Sequence, residues 1–305
     1  MSPKLPQKTR AYRNHTIDSE HWRGFERRPD DIIIATPYKC GTTWTQAIVL
    51  QLVFRGEGIL PTGEYSPWLD FAPRKAAESQ ATLNAQTHRR VIKTHTPLDG
   101  FEYDPDSKFI VVGRDPRDVF MSLWNHYSNY TEFAIAEFND RSDRIGERQP
   151  RCPDDIRDFW DMWIGRGWFE WETEGYPFWS NFHHVQTWWN YRHLPNIRFV
   201  HYNNLLADLA GEIGRIADYL NIECDEKLAT KIAGKVEFSS MKNQAEQFVG
   251  HEDDIFVGGA KTFINKGTNG RWRDVLNAQD LAKYEETASR VLSADCRGWL
   301  ETGRT

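Results

Sequence analysis

The residues DIIIATPYKCGTTWTQAIVLQLVF, which run from Asp31 to Phe54, decide the predicted fold. The first part, DIIIAT, is short and rich in β-branched side chains, as is typical of a buried strand. The part from Thr42 to about Phe54 is predicted to be a helix, and its first threonines suit a helix cap. Lys39 lies in the turn between them, and together with the N–H groups of the helix start it predicts an anion site. An ordinary capped turn is the alternative, but an ATP-binding GxxxxGK[ST] loop is not favoured, because the lysine here precedes the glycine.

Further strands and helices alternate along the chain. Strands are predicted at 89–95, 108–115 and 196–202, and helices at 115–130, 153–167, 179–193, 203–221, 225–235 and 278–292. Loops are expected at 55–88 with short helices, at 131–153 as a mobile segment, and at 258–272 as a glycine-rich loop. This alternation predicts an α/β fold with a mostly parallel sheet and helices on both faces. We expect one domain over 1–305, with a loose lead-in at 1–30 whose first part, 1–20, is a loosely ordered arm.

Four short motifs follow predicted strands, at the edge of the sheet where ligands of such folds bind. They are the turn at 36–43, KTH at 93–95, GRD at 113–115 and HY at 201–202. His95 is a candidate general base, because histidine titrates near neutral pH, although a single histidine is more often structural. Lys93, two residues earlier, points to the same face of the extended strand as His95.

Two more groups suit the recognition of a phosphate. Arg114 ends the third strand and Ser122 lies two helical turns further on, so a guanidinium and a hydroxyl converge. The alternative is that Arg114 pairs with a neighbouring aspartate. In INKGTNGRWR, Lys266, Gly267 and Gly270 suit a loop that wraps a phosphate, and a plain surface loop is the alternative.

Composition excludes several classes of function. The net charge of −6 argues against a general binder of nucleic acid or acidic membranes. The longest apolar runs are too short to span a bilayer, and the N-terminus MSPKLPQKTR lacks the apolar core of a secretory signal. The four cysteines are scattered without a CxxC pair, which favours a reducing cytoplasm and predicts neither a zinc site nor a disulfide framework.

In order and spacing, these motifs resemble the cytosolic-type sulfotransferases, which use 3′-phosphoadenosine 5′-phosphosulfate (PAPS). That family shows YPKSGTTW early, KTH at the next strand, an Arg and a Ser in a strand–helix unit, and RKGxxGxW near the end. This chain has PYKCGTTW, KTH, RDPRDVFMS and NKGTNGRW in the same order, and the resemblance covers about residues 20–290. It implies the P-loop-like sulfotransferase fold and an enzyme that moves the sulfuryl group of PAPS to a hydroxyl of a small-molecule acceptor. The product nucleotide would be adenosine 3′,5′-bisphosphate (PAP), and no metal is demanded.

The resemblance also implies a role for each matching residue. His95 corresponds to the catalytic base, Lys93 to its supporting lysine, and Lys39 to the lysine at the bridging oxygen and the sulfonate. The donor site would comprise Lys39, Cys40, Gly41, Thr42, Thr43 and Trp44 around the 5′-phosphosulfate and adenine, Arg114, Ser122, Asn265, Lys266 and Gly267 around the 3′-phosphate, and Tyr202 and Phe238 at the adenine.

Several features depart from the family pattern, among them Arg273, which replaces a lysine after the tryptophan. PYKC swaps Tyr and Pro relative to YPKS, and Cys40 replaces a serine, which would alter how the resting lysine is restrained. Asn265 stands where the family usually has arginine, so the 3′-phosphate clamp would lose a charge. RDVLNAQDLA does not match the family's dimerisation motif KxxxTVxxxE, so a homodimer would use another surface.

We expect the aromatic-rich segment 159–191 to determine which acceptor the protein binds. Its rings favour a phenol or an apolar alcohol. A cationic acceptor is the alternative, since tryptophan faces attract quaternary ammonium and Glu170, Glu172 and Glu174 lie in the segment. The tryptophans could also be the core of two packed helices. A carbohydrate acceptor, an ATP-dependent phosphotransferase, a nucleotide-binding protein without catalysis and a glycan-binding module are the remaining alternatives.

Overall fold

The sheet lies at the centre of the molecule. The computed structural model describes residues 5–140, 147–250 and 252–304. Four strands pair in parallel in the order β2–β1–β3–β4. Their bounds are β1 Ile32–Ala35, β2 Val91–Thr94, β3 Lys108–Gly113 and β4 Ile197–His201.

Fifteen α-helices accompany the sheet within the described ranges. They are α1 Thr42–Val53, α2 Thr62–Tyr65, α3 Ala76–Ala85, α4 Pro116–Ser128, α5 Glu132–Asn139, α6 Ile156–Gly165, α7 Asn181–Trp189, α8 Tyr202–Ala207, α9 Leu209–Leu220, α10 Glu226–Val236, α11 Phe238–Asn243, α12 Ala245–Val249, α13 Gly259–Phe263, α14 Ala278–Val291 and α15 Ala294–Thr302. Short 3₁₀ turns cover Ser19–Trp22, Leu98–Gly100 and Arg271–Asp274.

Helices cover both faces of the sheet, as predicted. Alternate residues of a strand point to opposite faces. Ile32 and Ile34 pack in a cluster with side chains of α1, α9 and α10. Ile33 and Ala35 pack in a second cluster that includes Trp188 of α7. The unbroken apolar run of β1 is therefore explained by burial on both faces.

The strand order brings the four predicted motifs to one edge. From β1 the chain goes to the strand on one side, β2, and then crosses to the strand on the other side, β3. The order in which strands are added therefore reverses between β1 and β3. Ligands of open α/β sheets bind at such a point, beside the carboxyl ends of the strands. Thr36, His95, Arg114 and Tyr202 are the residues that follow the four strands directly. The predicted strands and the predicted fold class are confirmed.

Several predicted segments differ from the structure. The expected helix over 203–221 is two helices, because the extended backbone of Asp208 ends α8 and its side chain accepts from Gly211 N to start α9. The expected mobile loop over 131–153 begins with α5, where the Thr131 side chain accepts from Ala134 N as a cap; 141–146 lie outside the described residues. The sequence pattern also did not indicate α15, and it placed the short helix α13 in a glycine-rich loop.

The expected arm over 1–20 was wrong for its described part, residues 5–20, while 1–4 lie outside the described residues. Tyr12 and Ile17 are completely buried. The Tyr12 hydroxyl donates to Asp99 at 2.7 Å, and Asn14 donates to the carbonyl of Phe178 at 3.2 Å. The segment is therefore packed against the loops beside the candidate site.

Candidate active site

The turn after β1 forms an open cradle of backbone N–H groups. Gly41, not a threonine, is the N-cap of α1, and no side chain caps the helix start, so the predicted threonine cap was wrong. Lys39 and Gly41 both have positive φ, 59° and 101°. A Cβ on Gly41 would lie 2.9 Å from the Tyr202 ring, which leaves room only for glycine. The hydroxyls of Thr42 and Thr36 lie 2.6 Å apart and tie the turn to β1. An uncapped helix start of this kind suits an anion.

Cys40 is the one member of the predicted donor set whose side chain does not line the cavity. Its side chain is completely buried, and Asn181 Nδ2 lies 3.7 Å from its sulfur. Burial raises the pKa of its thiol to about 12. Any contact of Cys40 with a donor would therefore come from its backbone.

Arg114 is held at the end of β3 without an aspartate partner. Its guanidinium donates to Asn269 Oδ1 at 2.7 and 3.0 Å and to the carbonyl of Lys39 at 3.2 Å. It also stacks on the Tyr202 ring, 4.1 Å from the ring centroid. Asp115, by contrast, pairs with Arg117 at 2.7 Å. Asp118 accepts from Gly270 N and interacts with Arg114 only through its charge. The alternative in which Arg114 forms an ion pair with Asp115 or Asp118 is therefore not supported among the described residues.

The glycine-rich loop after α13 closes over the same region. Gly267 has a φ of +66°, and a Cβ there would lie 2.4 Å from the Phe238 ring. The carbonyl of Asn265 accepts from Lys242 Nζ at 2.5 Å, which anchors the start of the loop to α11. Lys266 follows with an exposed side chain. The loop thus packs against Phe238 of α11, and Arg114 binds it at Asn269.

His95 presents one defined nitrogen to the cavity. Its Nδ1 lies 2.6 Å from the carbonyl oxygen of Thr36. A carbonyl oxygen only accepts, so Nδ1 carries the hydrogen and Nε2 has the free lone pair. Burial, and then the charge of Lys93, hold the pKa of His95 well below its ordinary value, so the ring is neutral at pH 7. Trp68 and Trp179 flank the ring with centroids 4.7 and 5.4 Å away.

The two lysines have unusually low pKa values. Burial lowers the pKa of Lys39 to about 7, and the charges of Arg114 and Lys93 act in the same direction. Burial lowers the pKa of Lys93 to about 8, although Asp70 and Glu252 act in the opposite direction. Lys93 Nζ lies 4.2 Å from the centroid of the Trp68 ring. Buried cationic side chains placed this close together indicate a site that binds an anion.

His126 is a site residue that the sequence analysis missed. Its Nδ1 lies 3.1 Å from Lys39 Nζ, and burial, with the charges of Lys39 and Lys93, keeps its pKa well below the ordinary value. It stands four residues after Ser122 on α4, so the two side chains share one face of the helix. That spacing is the signal that would have identified it.

A cavity of about 560 Å³ joins these groups. Its lining includes every residue of the predicted catalytic and donor set except Cys40, namely Lys39, Gly41, Thr42, Thr43, Trp44, Lys93, His95, Arg114, Ser122, Tyr202, Phe238, Asn265, Lys266 and Gly267. The rest of the wall is rich in aromatic side chains, among them Trp68, Phe71, Tyr130, Phe138, Phe178, Trp179 and Phe256. The cavity therefore has a cationic part and an aromatic part, with His95 in its lining.

The segment 159–191 contributes less to this wall than expected. Of its described residues, only Phe178 and Trp179 line the cavity. Trp160, Trp163 and Trp188 are completely buried in the core instead. None of the three acids lines the cavity: Glu174, for example, accepts from the backbone N–H groups at the start of α7. The aromatic rings of the cavity come mostly from other parts of the chain.

The fold and the cradle together define an α/β nucleotide-binding protein of the P-loop-like class. The family model described as the sulfotransferase domain matches residues 29–294. The chain therefore belongs to the sulfotransferase family.

Two curated proteins illustrate the similarity. A glycolipid sulfotransferase of Mycobacterium tuberculosis is 32% identical over 325 aligned residues, which cover 100% of this chain and 98% of that protein. Human sulfotransferase 1E1 is 25% identical over 275 aligned residues, with 86% of this chain and 85% of that protein covered.

Two solved structures share the fold. A mouse sulfotransferase complexed with PAP superposes with a TM-score of 0.69 at 18% identity, covering 92% of this chain and 91% of that chain. Retinol dehydratase in a complex with retinol and PAP superposes with a TM-score of 0.68 at 24% identity, covering 90% and 85%.

Two other kinds of feature are absent from the described residues. No helix there is both long and apolar enough to cross a membrane. In the same part of the chain, no group of three or more His, Cys, Asp or Glu side chains is placed to hold a metal ion.

Proposed function

We propose that this protein transfers the sulfuryl group of PAPS to the hydroxyl of an apolar or amphiphilic acceptor. The observation that carries the proposal is the cavity itself, in which an anion cradle and the free Nε2 of His95 share one space. PAPS, when bound, would supply the sulfuryl group. The hydroxyl would attack the sulfur in line while the bond from sulfur to the 5′-phosphate oxygen breaks, with PAP as the leaving group. The 32% identity to a glycolipid sulfotransferase supports the reaction type.

The residues present fit a donor with two phosphate groups. At Gly41 and Gly267 an aromatic ring lies so close to the backbone that a Cβ would collide with it. Two nitrogens of lining side chains, Trp44 Nε1 and Arg271 Nε, are buried and have no hydrogen-bond partner among the described residues. The cradle would hold the 5′-phosphosulfate, and Arg114, Ser122 and the loop at 265–267 would hold the 3′-phosphate.

The chemical roles follow from the positions of the side chains. His95 accepts the proton of the acceptor hydroxyl at Nε2, because its Nδ1 hydrogen is occupied by Thr36. Lys39 and Lys93 offset the negative charge that develops in the transition state. Sulfuryl transfer needs little covalent participation by the protein. Substrate positioning and charge stabilisation therefore account for most of the rate enhancement.

The aromatic part of the cavity defines the acceptor class. Trp68 and Trp179 both contact the His95 ring, so a flat or aliphatic body would lie against them with its hydroxyl at Nε2. Phe133 lines the cavity and is 55% exposed, so an apolar part of the acceptor has a path to the surface. A glycolipid is the second candidate acceptor beside a phenol or apolar alcohol, and the M. tuberculosis relative favours it.

The test is sulfuryl transfer from ³⁵S-labelled PAPS to a panel of a phenol, an apolar alcohol, a glycolipid and a hydroxylated quaternary ammonium. We expect labelled product with at least one of the first three. His95→Ala should lower kcat by about 10²- to 10⁴-fold, the usual contribution of a general base. PAP binding by this variant should change by no more than about twofold, since the base does not hold the donor.

His193→Ala is the matched control, because His193 is exposed and does not line the cavity. It should transfer label at the wild-type rate. Full activity of His95→Ala would overturn the assignment of the base. Transfer of the γ-phosphate of ATP instead of sulfuryl from PAPS would overturn the reaction and favour the phosphotransferase.

A further inference from the structure

The expected 3′-phosphate clamp of this chain has an uncharged member. Asn265 contributes an uncharged side-chain amide, and its backbone carbonyl accepts a hydrogen bond from Lys242. Arg114 donates two hydrogen bonds to Asn269, one to the carbonyl of Lys39 and one to the carbonyl of Thr268. Arg114 and the exposed Lys266 are the cations so far assigned to the phosphate, so a third cation at this place would strengthen the binding of a doubly charged phosphate monoester.

Arg271 lies in the same cavity and is not used by the mechanism described above. It lines the cavity together with Arg114, Asn265, Lys266 and Gly267. Its Nε is buried and has no hydrogen-bond partner among the described residues. Burial, and then the charge of Arg114, lower the pKa of Arg271, although the charge of Asp118 acts in the opposite direction. The two guanidinium groups therefore repel each other when no anion is bound. An unpaired buried donor of this kind is costly unless a ligand satisfies it.

The backbone holds Arg271 in place. Gly270, with a φ of +84°, donates its N–H to Asp118 of α4 at 2.7 Å. Arg271 then opens the 3₁₀ turn, and the next residue, Trp272, is buried against α4. The start of its side chain is therefore fixed relative to Arg114 and Ser122.

We propose that Arg271 supplies the charge that Asn265 lacks and contacts the 3′-phosphate of the donor nucleotide. The inference rests on the proposed function, since it assumes that the donor is PAPS. It makes Arg271 an additional residue, beside the loop at 265–267, that discriminates a 3′-phosphorylated nucleotide from one without that group. Arg114 and Arg271 would then approach the phosphate together, which relieves their mutual repulsion.

The test is calorimetric titration with PAP and with AMP, which lacks the 3′-phosphate. Arg271→Ala should weaken PAP binding about 10- to 100-fold, the usual effect of losing a hydrogen bond to a charged group. AMP binding should change by no more than about twofold, because the lost contact goes to the absent phosphate. The double variant Asn265→Arg/Arg271→Ala should recover at least about tenfold of the lost PAP affinity.

Arg273→Ala is the matched control. Arg273 is an exposed arginine two residues further on, stacked on Trp272 and absent from the cavity lining. It should bind PAP as the wild type does. If Arg271→Ala keeps the full preference for PAP over AMP, the inference is wrong, whereas a wild-type protein without that preference overturns the proposed function itself. Equal losses in PAP and AMP binding would also overturn the inference, since they would indicate a general change of the loop.

Discussion

At the scale of single residues, Lys39 shows most clearly how the fold prepares side chains for an anion. Its position after β1, with positive φ, brings the ammonium close to Arg114 and Lys93 and within 3.1 Å of His126 Nδ1. Its resting contact is thus a histidine, while the neighbouring Cys40 faces the core. We therefore expect His126, not the residue after the lysine, to restrain Lys39 before the donor binds.

The low pKa of Lys39 predicts the pH dependence of donor binding. In the free protein this pKa is about 7, and a bound anion favours the charged form, so the pKa rises on binding. Binding must then take up a proton above pH 7, and PAP affinity should fall with rising pH by up to about tenfold per unit. The phosphates of PAP are almost fully ionised in this range, so the change reports on the protein.

The measurement is titration calorimetry from pH 7 to 9 in buffers of different ionisation enthalpy, which gives the number of protons taken up. Lys39→Met serves as the control: it should bind PAP less tightly at pH 7 and lose most of the slope below pH 8. The remaining slope would come from Lys93, whose pKa is about 8. Binding that takes up no proton at pH 8 would contradict the role of Lys39.

At the scale of elements, the loop after α13 works because glycine occupies position 267. Its positive φ excludes most other residues, and the Phe238 ring fills the space where a Cβ would stand. The loop and the first turn of α11 are therefore packed tightly against each other. This packing holds the Phe238 ring where adenine is proposed to lie.

Gly267→Ala should separate the effect of this contact from that of backbone strain. Gly58→Ala is the matched control, because Gly58 has the same φ of +66° but has no atom within 4 Å of the position that a Cβ would take. Both variants should lose about 1–2 kcal/mol of unfolding free energy from left-handed strain, measured by urea denaturation. Only Gly267→Ala should lose PAP affinity, by about tenfold or more, since Phe238 must move. Equal PAP affinities of the two variants would show that the ring and the glycine are not linked.

At the scale of the whole molecule, the sequence predicts the sheet and its ligand edge well, for a physical reason. Strands buried on both faces read as short apolar runs, and polar motifs at their ends, such as KTH and GRD, fall at one edge. Most of the predicted donor residues lie in such motifs, and the cavity brings all of them except Cys40 together.

What the sequence did not reveal depends on contacts between distant segments. Trp68 and Phe256 lie in loops without a strong local pattern, and only the tertiary fold places them around His95 and His126. Arg271 belongs to a motif that was recognised, but its orphaned Nε is visible only in three dimensions. The arm over 5–20 has a polar composition, and its burial comes from a few residues such as Tyr12. The single domain, the site roles and the state of association stay predictions.

The most direct test of the central claim is a calorimetric titration of the wild-type protein with PAP, AMP and ATP with magnesium, repeated for Arg114→Ala. We predict that PAP binds at least about tenfold more tightly than either of the others, because only PAP offers a 3′-phosphate to a charged clamp. Arg114→Ala should remove most of that difference. Tightest binding of ATP with magnesium, or equal binding of PAP and AMP, would contradict the account of this cavity as the site of a PAPS-dependent sulfotransferase.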